Sequence, residues 1–350
     1  MAVEVPAQRP SGEVPVGAVA GRVAQRLRPG SMWVWLLGAG GFAVGYGLFG
    51  WVPVHHQACR YLPASSHCTY FSNISQFHTW IALVGAQTAL WAAILPGLWG
   101  ATRELRMRVS KPDRSRVWSV YVCFSVFVLA AQALLVRLLQ PLPPVIFFEA
   151  RVAVLTLLGL VTVAPAAVGM WLILIVLRSL HERVTEAGQA SGAVAGTEAA
   201  TIVDMRRILK LVVSYVGAVI GSVAFSTGAL RNAVLAWDRM SFKPSGPPAG
   251  GFDFPPEFVL LFAVFFVVLL GLVYVPVYLE LERTGREVLE AVSPVDWTTE
   301  PGTDWYAKRQ ALADFLQLGI RLEESLRAGV AILAPLVGLL LSTFLPGPKA

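Results

Sequence analysis

The sequence predicts an all-α polytopic membrane protein: a bundle of six to seven transmembrane helices, with a cytoplasmic amphipathic helix before the last apolar segment. Three observations predict it. The 350 residues are 55% hydrophobic and only 14% charged, with a mean hydropathy of +0.62, whereas soluble chains average about 25% charged residues. The apolar residues gather in blocks of about twenty, enough at about 1.5 Å per residue to cross a hydrocarbon core of about 30 Å. The basic residues are distributed unevenly between those blocks. With the N terminus inside, 21 of the 28 fall on the inner side and seven on the outer side, the asymmetry that orients helices in a bilayer.

The net charge of +6 therefore serves orientation rather than nucleic-acid binding. No aromatic-rich basic module is present, and no nucleic-acid partner is expected. Only five of the 28 basic residues are Lys, the rest being Arg, in a chain also rich in Ala, Gly and Pro. That composition is associated with GC-rich bacterial genomes, so a bacterial plasma membrane is the expected location and the lipid bilayer the first partner.

Residues 1–30 mix Pro and Gly with Arg9, Arg22, Arg26 and Arg28, the pattern of a disordered basic cytoplasmic tail. The apolar run Met32–Val54 is too long for the hydrophobic region of a signal peptide and reads as a retained first span. It carries the pair Gly41 and Gly45, a spacing that lets two helix backbones approach closely in lipid. A second span covers about Thr79–Trp99. A loop with Arg103, Arg106, Arg108, Lys111, Arg114 and Arg116 follows, and it is the strongest inner-side signal.

Spans three and four are expected over Val117–Val136 and Val152–Leu177, the latter kinked at Pro165 and continued as helix to about Glu186. Residues 187–196 read as a flexible linker. Thr201 with Asp204 resembles a capping box, and Thr197 is an equal candidate for the next helix start. Span five, Leu211–Leu230, has Gly217, Gly221, Ala224 and Gly228 down one side and reads as the central helix against which others pack.

Span six covers Phe258–Val277 and completes a membrane domain over 31–279. The segment 280–327 reads as cytoplasmic. Within it, Trp305, Leu312, Phe315, Leu316, Leu322 and Leu326 recur at helical spacing, so 304–327 is expected to dock on a partner, on the membrane surface or on the bundle. The apolar run Ala328–Phe344, within 328–345, is a seventh crossing or a re-entrant helix.

Candidate chemistry sits outside the membrane. Cys59 and Cys68 share an outer loop with His55, His56, His67 and His78. A disulfide is expected there; a metal site on these Cys and His residues is the sharper alternative, against which the spacing matches no ligand motif. Arg137, Arg151 and Arg231 lie at outer helix ends and are candidates to face an anion. Within the spans there is no Asp, Glu, Lys, Arg or His, which argues against proton relays and intramembrane proteases. No P-loop, GxSxG or HExxH motif is present, no catalytic residue is assigned, and no cofactor is implied.

Three functions follow. The foremost is a non-catalytic partner-binding or scaffold protein, compatible with a homo-oligomer. The second is a passive or lipid-type transporter, which requires an apolar groove lined by Gln87, Gln132 and span hydroxyls. The third is an extracytoplasmic enzyme using the outer-loop histidines and acids.

Overall fold

A computed structural model describes residues 31–50, 74–138, 148–187, 192–241, 256–293 and 303–318. They form seven α-helices: α1 Ser31–Gly50, α2 Ser75–Arg108, α3 Lys111–Leu138, α4 Phe148–Ala187, α5 Gly192–Ser241, α6 Pro256–Val292 and α7 Thr303–Phe315. The first six are each long and apolar enough to cross a membrane. The tail 1–30 and the apolar segment 328–345 lie outside the described residues.

Several helices far exceed the membrane. A 50-residue α5 is about 75 Å long, more than twice the hydrocarbon thickness. Successive spans reverse direction, so the ends of α2, α4 and α6 meet the starts of α3 and α5 at one end, where the arginines gather. At this basic end the expected loop is almost entirely helical. Only Val109 and Ser110 break it. Ser110 caps α3: its hydroxyl accepts from the Asp113 amide at 3.3 Å and donates to the Asp113 carboxylate at 2.6 Å, so a side-chain oxygen satisfies one of the helix's first free amides.

The linker expected over 187–196 is also shorter than its composition suggests. α5 begins at Gly192, ahead of both Thr197 and Thr201, because Ala-rich sequence continues a helix that tertiary contacts already hold. Ala199, Ile202 and Met205 are buried there.

α4, not α5, is the centre of the bundle: it packs against α1, α2, α3, α5 and α6. On α5 itself, Gly217, Gly221, Ala224 and Gly228 are all buried, and the helix packs against α2, α4 and α6. α1 lies almost wholly on α2. A Cβ at Gly41 would stand 2.6 Å from the Thr88 carbonyl oxygen, and one at Gly45 only 2.0 Å from Thr88 Oγ1. The Thr88 hydroxyl in turn donates across the seam to the Gly41 carbonyl at 2.7 Å, so the missing side chains admit both the close approach and the bond. Away from the basic end, Phe49, Phe77, Trp80, Phe148 and Trp237 form a separate apolar cluster joining α1, α2, α4 and α5.

Beyond the membrane, polar pairs tie the long helices together. His181 Nδ1 on α4 lies 2.6 Å from Glu287 on α6. Arg206 on α5 is 5% exposed; its Nη2 donates to Glu282 on α6 at 2.7 Å and its Nη1 to the Gln317 carbonyl at 2.7 Å. α7 ends at Phe315 rather than running to 327. Gln317 adopts φ 54°, its amide returns to Asp314 and the Leu318 amide returns to Ala313, the two bonds of a Schellman stop. Leu316 is fully buried and Leu318 packs over Gly285. Leu312, Leu316 and Leu318 thus lie on the protein's own bundle, whereas Phe315 is exposed.

Candidate functional site: a cavity at mid-depth

A cavity of about 240 Å³ opens between α2, α3, α4, α5 and α6. One water needs only about 10–15 Å³ of such space, so this volume fits a far larger guest. Its wall is mostly aliphatic and aromatic, with Gln87, Gln132, Thr156, Ser226 and Thr227 among the lining residues. The spans contribute no charge to it.

The local sequence explains why space remains. Pro165 interrupts α4, and Gly159 accepts the Trp91 ring, whose edge would lie 3.1 Å from a Cβ there. The Trp91 ring thus sits close to α4, and its indole N–H donates to Ser222 Oγ on α5 at 3.0 Å.

The cavity's hydrogen bonding is lopsided. The Tyr121 hydroxyl donates to the Leu160 carbonyl. Thr156 donates to the Val152 carbonyl, and both Ser226 and Thr227 donate to the Val223 carbonyl. Each hydroxyl proton is taken by backbone, leaving oxygen lone pairs on the wall. Gln87 is 3% exposed, and its Oε1 is buried and accepts no hydrogen bond among the described residues. An orphan acceptor of this kind costs about 1–3 kcal/mol. The cavity wall suits a guest with an apolar body and few polar groups.

The other candidates fall elsewhere. Cys59, Cys68, His55, His56 and His67 lie outside the described residues. His78 is exposed at the start of α2, its ring on the edge of Phe77. No group of three or more metal-ligating side chains occurs among the described residues. Arg151, in the first turns of α4, is 8% exposed, and its Nη1 has no hydrogen-bond partner among them. Arg231 is half-buried on α5. Arg137 sits in the last turn of α3, and its side chain lies outside the described ones.

The cavity could be named from the sequence only as a requirement of the transporter reading. What the sequence did not signal is the donor–acceptor imbalance, because that depends on which carbonyl each hydroxyl finds. Compared with protein-family models, curated proteins and solved structures, the chain matches none.

Proposed function

We propose that this protein is a non-enzymatic membrane protein that holds or passes a lipid-like molecule, working in a bacterial plasma membrane with its N terminus in the cytoplasm. The observation that carries the reading is the apolar cavity between α2, α3, α4, α5 and α6, with Gln87 and Gln132 among its few polar lining residues. An apolar pocket with few convergent polar groups is the usual form of a small-molecule site. Charge-free spans suit a guest that moves without ion coupling. The partner-binding reading has less support, because Leu312, Leu316 and Leu318 pack into the chain's own apolar core.

The test is mass spectrometry of an organic extract of the purified full-length protein. One equivalent of an apolar molecule bearing a hydroxyl or amide is expected. It should be lost when Val219→Trp fills the cavity. Wild-type protein that copurifies with no such molecule, and that transfers no labelled lipid between vesicles, refutes the proposal.

A further inference from the structure

At the basic end, α2 and α3 carry a second pocket of about 360 Å³, lined by Trp99, Arg103, Arg106, Met107, Arg114 and Trp118. The carboxylates of this stretch are already engaged. Glu104 holds Arg108 at 2.6 Å, and Asp113 holds Arg116 at 3.6 Å. Arg103, Arg106 and Arg114 are left together, and none of them touches a carboxylate among the described residues.

Two of these guanidiniums are held in place rather than free in solvent. Arg106 donates to the Trp99 carbonyl at 2.9 Å and lies 3.8 Å above the Trp99 ring. Arg114 donates to the Arg106 carbonyl at 3.2 Å. Three like charges at one site repel one another, and an anion would relieve all three. Arginines that only orient a span need to be on the correct side of the membrane; they need no such fixed arrangement.

Trp99, Arg103 and Trp118 also line the mouth of an apolar groove of about 740 Å³ between α2, α3 and α4. Along α3 the groove runs from Trp118 to Leu129, about 16 Å of helix. That is roughly half of a 30 Å hydrocarbon core, the depth of one leaflet. Paired tryptophans at its mouth mark the level of lipid headgroups. Pro96 lies in the groove wall, where α2 lacks one backbone donor.

We propose that this pocket and groove bind one anionic phospholipid of the surrounding leaflet, its phosphate on Arg103, Arg106 and Arg114 and an acyl chain along α3 to Leu129. The charge of the head and the length of the groove both select this occupant. The inference does not depend on what fills the central cavity.

Delipidated full-length protein titrated with dioleoyl-phosphatidylglycerol or dioleoyl-phosphatidylcholine, read by native mass spectrometry, tests it. The anionic lipid should bind at least about tenfold tighter, given roughly fivefold per interfacial arginine. Arg103→Gln/Arg106→Gln/Arg114→Gln should abolish that preference, while Arg108→Gln/Arg116→Gln should keep it. Val126→Trp, which fills the groove and leaves every arginine, should weaken the anionic lipid several-fold. Equal binding of the two lipids by wild-type protein overturns the proposal. So does equal loss in both arginine variants, an unaffected Val126→Trp, or displacement of the lipid by an equal concentration of inorganic phosphate, which would indicate an ion site with no chain.

Discussion

Gly45→Ala adds one methyl group at a place where the structure leaves no room for it. The new Cβ would lie 2.0 Å from Thr88 Oγ1, 2.8 Å from the Val84 carbonyl oxygen and 3.0 Å from Thr88 Cβ, where ordinary contact begins at 3.4 Å. Relief of about 1.4 Å is needed, whether α1 moves away from α2 or Thr88 rotates. Either way the 2.7 Å bond from Thr88 to the Gly41 carbonyl is stretched out of range. An interhelical bond in lipid contributes about 0.6–2 kcal/mol, and overpacking costs about 1–3 kcal/mol. Better helix propensity returns about 1 kcal/mol, so the seam should lose roughly 1–4 kcal/mol. Gly40 and Gly47, on the same helix, have nothing within 4 Å of a Cβ; alanine there should be neutral or stabilising. The assay is disulfide formation between cysteines placed at Gly38 and Ala89, with Cys59, Cys68 and Cys123 replaced by Ser. Cross-linking should slow in Gly45→Ala, stay fast in Gly40→Ala, and recover partly when Thr88→Ala removes the colliding oxygen. If Gly45→Ala cross-links as fast as Gly40→Ala, the seam does not pack as described.

Arg206→Met should cost about 3–5 kcal/mol, because it leaves Glu282 half-enclosed without its closest cation, and limited proteolysis between α6 and α7 should accelerate; adding Glu282→Leu should recover much of the loss. Gly285→Leu drives a side chain into Leu318, whose Cδ2 lies 2.7 Å from the Cβ position; the turn after α7 should detach, at about 1–3 kcal/mol, as hydrogen exchange at Leu316 and Gln317 would report. Gln87→Leu removes a buried acceptor that has no partner among the described residues, so it should raise the thermal stability of the ligand-free protein by about 1–2 kcal/mol; a stability loss would mean that Gln87 serves the fold instead.

The six spans were legible because a bilayer imposes an unbroken apolar run and tolerates almost no exception. The basic end was legible because charge asymmetry is a property of the sequence alone. The identity of the central helix was not. Small residues on Leu211–Leu230 show that something packs closely there, but α4 has more neighbours, and neighbour number depends on how helices are arranged around one another. The end of α7 depends on the fold in the same way. The left-handed position falls on Gln317, a residue with no intrinsic preference for it. That glutamine's carbonyl accepts from Arg206 and its Oε1 accepts from Lys210 at 3.1 Å, two bonds that offset a strain of about 1–2 kcal/mol. The arginines of α2 and α3 were legible as topology, but their pairing was not: only the geometry shows that Arg108 and Arg116 occupy the nearby acids.

The near-exclusive lodging of α1 against α2 has a mechanical consequence. Beyond that one seam α1 meets α4 only marginally, and Phe49 is its one residue in either buried apolar cluster. Tugged from its N terminus by a cantilever, the molecule should release its first helix as a discrete early rupture. The other described spans α2, α3, α5 and α6 should then yield in later steps, since all four rest on α4.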